Sequence, residues 1–179
     1  MTEVAKAYAQ GLYDLAKDEN LSERVLEEIA VLDMSFVQTP DYLRLLAAPD
    51  LSKQERCAIL DDSFRGKVHP YVLNFLKILM EKGYIRHFSE CCRAYREQYN
   101  EDNGILCVRA VTAQVLTAEQ LENLTRKLVN VTGKKIQLEC DVDPACMGGI
   151  RLDYDGKRVD GTVQSRLASI GKLLKNTML

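Results

Sequence analysis

Residues 147–174 read MGGIRLDYDGKRVDGTVQSRLASIGKLL, and the rest of the chain is interpreted outward from them. After the glycine pair, Ile150, Leu152 and Tyr154 alternate with Arg151 and Asp153, the period of a half-buried strand. Asp155-Gly156 is a two-residue hairpin signal, because a type I′ turn needs positive φ at both central positions. A short return strand over 157–159 follows. Asp160 then stands where it can cap a helix on which Val163, Leu167, Ile170 and Leu174 recur at helical spacing. Gly148, Gly149 and Gly161 fit as turn residues that need backbone freedom. The tail is a tight hairpin feeding an amphipathic helix, with no nucleophile–base pair, ligand cluster or phosphate loop.

Upstream, Asn103-Gly104 marks a change of pattern. Residues 105–113 are rich in β-branched side chains and read as a strand. Thr117 and Gln120 form a capping box, with Leu116 and Leu121 as its hydrophobic staple. Leu121, Leu124, Leu128 and Val131 give that helix its apolar face, and Gly133 ends it. Residues 135–142 are a second strand, with Ile136, Leu138 and Cys140 alternating. A unit of this size buries little core unaided and leans on a neighbour.

The first hundred residues read as helices and little else. Val4, Tyr8, Leu12 and Leu15 form one stripe, while Ala5, Ala7, Ala9 and Ala16 keep the remaining surface small. Asn20 and Glu23 suggest a capping box for a second helix with the stripe Val25, Ile29, Leu32 and Phe36. Thr39-Pro40 opens a short third helix that Pro49 helps to end. Ser52 and Glu55 form a further capping box, and His69-Pro70 starts a fifth helix that is apolar nearly all round. Gly83 closes it, and a sixth runs over about residues 85–101 with Phe88, Cys92, Tyr95 and Tyr99 on one face. The expected fold is α+β: a six-helix bundle over residues 1–103, then a small α/β domain over 104–179 with a hairpin and terminal helix.

Composition narrows the function. Net charge is −2 and the pI about 5.8, without the basic footprint of nucleic-acid binding. No window approaches the roughly 18 apolar residues of a membrane span, and the N-terminus lacks a signal-peptide pattern. The six cysteines contain no CxxC pair and, with two histidines, offer no zinc spacing; they read as small buried hydrophobes. His69 reads as a helix-start residue and His87 as a solvated one. Asp61-Asp62 and Glu27-Glu28, being consecutive, read as solvated surface. Asp153, Asp155 and Asp160 are accounted for in part by a turn and a cap without any cation. The residues describe a two-part binding protein, against two other readings: a small α/β regulatory or nucleic-acid-binding module with a helical interaction domain, and a thiol-dependent enzyme.

Gly148-Gly149-Ile150-Arg151-Leu152, Asp155-Gly156-Lys157, Val159-Asp160-Gly161-Thr162-Val163 and Arg166-Leu167 closely resemble the C-terminal signature of the delta-subunit family of F-type ATP synthase. The family's mitochondrial branch is the oligomycin-sensitivity-conferring protein. Ala5-Lys6-Ala7-Tyr8-Ala9 with Leu12-Tyr13 is similar to its opening helix, and LKILMEKGYI over 76–85 to the end of its fifth helix. The resemblance covers essentially the whole chain. Thr162 stands where the family most often has serine, and Lys82 and Tyr84 flank Gly83 where asparagine and arginine are common.

The resemblance implies a non-catalytic stator subunit, without cofactor or metal, that ties the catalytic head to the peripheral stalk so that proton-driven rotation is coupled to ATP synthesis. Implied partners are α subunits of the head and b subunits of the stalk, with no nucleic acid and no direct membrane insertion. The implied location is the cytoplasmic face of the cell membrane, as a peripheral part of the complex. An N-terminal helix of an α subunit would lie between the first and fifth helices, on Tyr8, Gly11, Leu12, Asn74 and Ile78. The b subunits would meet the tail at Val163, Arg166, Leu167, Ile170 and Leu174.

Overall fold

The computed structural model describes residues 3–48, 51–163 and 165. Six α-helices come first: α1 (Glu3–Asp18), α2 (Ser22–Gln38), α3 (Pro40–Leu46), α4 (Lys53–Phe64), α5 (Pro70–Glu81) and α6 (Phe88–Asp102), with a 3-10 turn at Ile85–His87 before the last. Local chemistry sets several of their ends. Ser52 Oγ accepts the Glu55 N–H at 3.2 Å while the Glu55 carboxylate accepts the Ser52 N–H at 2.8 Å, a complete capping box at α4. His69 Nδ1 accepts the Tyr71 N–H at 3.3 Å ahead of Pro70, which starts α5. Gly83, at φ 76°, ends α5: the Tyr84 N–H reaches Leu79 O at 2.7 Å and the Gly83 N–H reaches Met80 O at 3.1 Å, a Schellman closure.

Asn20 behaves differently from the expectation. It sits at φ 57°, with its N–H on Lys17 O and the Leu21 N–H on Ala16 O, so it closes α1 by the same motif that Gly83 provides for α5. No side chain caps α2, whose preceding residue is Leu21. Asparagine tolerates the left-handed region, and here that property outweighed its capping ability. Thr39 likewise turns back, donating from Oγ1 to Ser35 O at 2.6 Å, and leaves the start of α3 to Pro40.

The face of α1 also differs. Ala5, Ala9, Leu12, Tyr13 and Ala16 are buried, whereas Val4 and Leu15 are exposed and Tyr8 half-buried. Small side chains turn inward because they let α1 approach its neighbours closely. α2 buries the expected Val25, Ile29, Leu32 and Phe36. Phe88 packs edge-on to Phe36, ring centroids 5.2 Å apart, and Tyr95 edge-on to Tyr13 at 5.3 Å. Two acidic groups read as surface are tied in: Glu28 accepts the His69 N–H at 2.5 Å, and Lys77 Nζ lies 2.7 Å from Asp61.

The chain divides into two compact units, Met1–Tyr99 and Asn100–Leu179. The second contains β1 (Ile105–Thr112), α7 (Ala118–Thr132), β2 (Lys135–Val142), β3 (Ile150–Tyr154) and β4 (Lys157–Asp160), with a 3-10 turn at Pro144–Cys146. The strands form one mixed sheet in the order β2-β1-β3-β4, β1 and β2 parallel and the remaining pairs antiparallel. The fold is therefore α+β, with seven α-helices and a four-stranded sheet among the described residues. Thr117 and Gln120 form their capping box, and Gly133 ends α7 at φ 67°. Val131 is 85% exposed, off the face expected for it; the half-buried Thr132 occupies the inward position instead.

Candidate functional site

The residues named for partner binding in the N-terminal half come together. α1 presents Tyr8, Gly11, Leu12 and Leu15, and α5 presents Tyr71, Asn74, Phe75 and Ile78, two helical rows that wall an open groove of about 400 Å³. Leu12 and Phe75 are buried at its base. Ile78 is 46% exposed and Leu15 43% exposed at its mouth. The fifth helix is thus not buried all round: the Asn74–Ile78 side is left open. All five expected residues, Tyr8, Gly11, Leu12, Asn74 and Ile78, line this groove.

Each wall is held from behind. Tyr71 sits in the first turn of α5, where the His69 ring packs 4.7 Å from its own and caps its N–H. Tyr8 lies 6.0 Å from the Tyr84 ring, and Tyr84 is fixed by the Gly83 turn. A Cβ built on Gly11 would meet nothing within 4 Å, so the free chain does not need a glycine there. The missing side chain leaves that stretch of the groove wall open. Asn74 is the one amide side chain in an otherwise apolar or aromatic lining. Leu15 and Tyr71 were not expected in the site. Their signal was present: Tyr8, Gly11 and Leu15, and Tyr71, Asn74 and Ile78, each run at i, i+3, i+7.

Nothing in this arrangement is poised for covalent chemistry. The groove is a largely apolar cleft in which Asn74 supplies the amide. Cys91 and Cys92 are buried, which pushes the Cys91 thiol up to about 11 and the Cys92 thiol higher still. The exposed Cys140 also has a raised pKa, from partial desolvation and the adjacent Asp141 carboxylate. The cysteines are not uniformly buried hydrophobes, since Cys57 and Cys107 are half-buried and Cys140 exposed. His87 pairs with Glu90, ring nitrogen to carboxylate 3.0 Å, on a partly exposed turn. Asp153 carries ion pairs with Arg158 and Arg151. Among the described residues, no group of three or more His, Cys, Asp or Glu is placed to hold a metal ion.

At the hairpin, Asp155 and Gly156 have φ 46° and 71°, the two left-handed residues of the expected turn. Gly149, at φ 78°, is required sterically: a Cβ there would lie 2.5 Å from Gly161 O. Gly161 in turn donates its N–H to Ile150 O at 3.0 Å. Asp160 does not cap the following helix directly. Its Oδ1 accepts the Thr162 N–H at 2.9 Å and the Thr162 hydroxyl at 2.7 Å, and Thr162 Oγ1 accepts the Ser165 N–H at 3.2 Å. Thr162 is the cap and Asp160 its anchor, because the Asp160 carboxylate stands two residues ahead of the capping position. Val163 is 42% exposed. Arg166, Leu167, Ile170 and Leu174 lie outside the described residues.

Comparison with known proteins places these features in a family. Residues 4–174 match the family model described as ATP synthase delta (OSCP) subunit. The ATP synthase subunit delta of Alkaliphilus oremlandii is 31% identical over 176 residues, covering 98% of each chain. That of Symbiobacterium thermophilum is 32% identical over 165 residues, 92% of this chain and 88% of its own. One chain of the Toxoplasma gondii mitochondrial ATP synthase hexamer has the same fold, with a TM-score of 0.72 over 97% of this chain and 98% of that one at 21% identity.

Proposed function

The chain belongs to the ATP synthase delta (OSCP) subunit family, and from that premise we propose that the groove between α1 and α5 receives an N-terminal helical segment of an α subunit of the catalytic head. The protein is a subunit of F-type ATP synthase, a stator component of the peripheral stalk and a structural rather than catalytic part of the complex. Among the described residues no helix is long and apolar enough to cross a membrane, consistent with peripheral association with the complex.

The observation that supports the docking reading is the open apolar groove itself, at whose mouth the large aliphatic side chains of Ile78 and Leu15 stand exposed. Fully covering a large aliphatic side chain contributes about 1.5–3 kcal/mol, so a single amphipathic helix seated there gains a useful fraction of a stable attachment. A stator under torque calls for affinity near the nanomolar range, about −12 kcal/mol. Several linked contacts reach it more readily than one. The six helices over residues 1–103 act as a bundle that grips the head. Residues 104–179 hold the b subunits, with Val163, Arg166, Leu167, Ile170 and Leu174 as the tail contacts. In this reading the protein lies on the cytoplasmic face of the cell membrane, as a peripheral part of the complex.

The test is reconstitution of an ATP synthase lacking this subunit. The full chain should restore proton-driven ATP synthesis, and a folded Ile78→Asp variant should restore much less. Equal recovery by both would remove the groove from the account.

A further inference from the structure

Three places in the chain set an asparagine or aspartate directly before a glycine: Asn103-Gly104, Asp155-Gly156 and Asp160-Gly161. At such a pair the glycine nitrogen, with no Cβ on its own residue to hinder it, can close on the side-chain carbonyl carbon of the residue before it. The structure separates the three. Asp160 Oδ1 accepts the Thr162 N–H at 2.9 Å and the Thr162 hydroxyl at 2.7 Å, and the Gly161 N–H donates to Ile150 O at 3.0 Å. Both partners of that closure are engaged elsewhere. Asp155 is exposed, and its ionised carboxylate resists attack because it is already negative and holds no good leaving group. Asn103 presents a neutral amide, which can release ammonia.

The local structure leaves room for the closure. α6 ends at Asp102, and Gly104 follows at φ 62°, the left-handed conformation of a helix end. Asn103 is exposed, and a Cβ built on Gly104 would meet nothing within 4 Å, so the space beside the glycine is open. The Gly104 N–H donates to Glu101 O at 3.2 Å, a bond of the last helical turn, where helices fray. The same turn also carries the start of the sheet. Gly104 O accepts the Lys135 N–H at 2.9 Å, the β1–β2 register begins with Ile105 beside Lys135, and Asn100 Nδ2 donates to Cys107 Sγ at 3.2 Å.

We propose that Asn103 is a site of spontaneous covalent modification, where the Gly104 backbone nitrogen closes on the Asn103 side-chain amide and the residue becomes isoaspartate. The bond from Gly104 N to Asn103 Cγ forms, the Cγ–Nδ2 bond breaks, and the Gly104 proton leaves with the amide nitrogen as ammonia. Water then opens the cyclic imide. Attack at Cγ breaks the new bond and gives aspartate. Attack at the Asn103 main-chain carbonyl breaks the original peptide bond instead, so that the chain runs on through Cβ and Cγ and the old carbonyl becomes a side carboxylate. Either product adds one negative charge to the formal net charge of −2. Isoaspartate also inserts one extra carbon into the main chain between α6 and β1, which moves the Gly104 carbonyl out of step with Lys135 and weakens the first rung of the β1–β2 pairing. The modification stands apart from the docking reading, since neither its chemistry nor its effect involves the groove.

Incubation of the full-length chain in warm, mildly alkaline buffer, followed by proteolysis and mass spectrometry, tests this. An amide-to-acid mass gain should appear first in the peptide that carries Asn103, at a rate independent of protein concentration. Part of that product should accept a methyl group from a protein isoaspartyl methyltransferase. Asn103→Gln lengthens the side chain and keeps the backbone, so it should abolish the gain while the unfolding midpoint stays in place. In the converted chain the Lys135 amide should exchange with solvent several-fold faster than in the fresh chain, with the amides of residues 3–99 unchanged. Four results overturn the proposal. They are no gain in the folded chain over a period in which the denaturant-unfolded chain converts, isoaspartate at Asp155 or Asp160 ahead of Asn103, an acid product without isoaspartate, or unaltered exchange at Lys135 after conversion.

Discussion

In the N-terminal unit, Phe36 meets Phe88 at 5.2 Å, Tyr42 at 5.8 Å and Phe64 at 6.0 Å, so rings from α2, α3, α4 and α6 share one core. In the C-terminal unit, burial of apolar side chains among the described residues falls on β1 (Leu106, Val108, Ala110, Val111) and on Cys146, and α7 buries none. That unit is held by backbone devices: left-handed residues at 155 and 156, the close pass of Gly149 under Gly161, and the Asp160–Thr162–Ser165 relay. Side-chain volume fixes one unit and backbone geometry the other. The first can therefore leave a groove open on its surface and stay folded, whereas the second depends on a few turn positions.

That contrast is open to attack, starting with the core. Phe88→Ala should cost about 3–5 kcal/mol, read as a lower midpoint in denaturant unfolding, since it empties a fully buried position between Phe36 and Phe75. In the other unit the largest effect should come from removing no contact at all. Gly149→Val forces a β-branched residue to φ 78° against a backbone oxygen, and should cost about 2 kcal/mol or more. Its losses should appear in hydrogen exchange over residues 104–163, with protection in residues 3–99 retained. If Gly149→Val were neutral, the claim of backbone control would fail. Thr117→Ala should cost about 1 kcal/mol through the lost cap of α7.

The smallest expected effect is in acid. Hydrogen bonds from the Thr162 backbone and hydroxyl hold the Asp160 carboxyl below its ordinary 3.8, and the Arg158 guanidinium does the same for Asp153. A depressed folded-state pKa stabilises the fold above the unfolded value and loses that stabilisation as pH falls through the folded one. Stability carried by this hairpin should therefore decline below about pH 4, and Asp160→Asn should flatten the decline in an acid titration of β4 signals.

Much of the fold was legible because its determinants are local. Capping boxes at Ser52 and Thr117, the Asp155-Gly156 turn and the Gly83 stop all act over a few residues, and each formed as expected. Asn20 was misread because the same side chain suits two positions, a cap and a left-handed helix end, and the neighbouring backbone decides between them. The inward face of α1 was misread because alanines become core only when another helix comes close, which periodicity does not report. Glu28 and Asp61 were misread because their partners, the His69 N–H and Lys77, lie far along the chain. The groove residues were named through the family resemblance, and helical spacing alone would have added Leu15 and Tyr71 to them.

The most direct test of the account is calorimetric titration of the full chain with a peptide of the α subunit's N-terminal segment, alongside folded Tyr8→Ala and Ile78→Asp variants. Tight binding by the unsubstituted chain, weakened about tenfold or more by Ile78→Asp and less by Tyr8→Ala, with unfolding midpoints unchanged, is what a docking groove between α1 and α5 requires. Full affinity in both variants would contradict it and move the head contact to another surface of the protein.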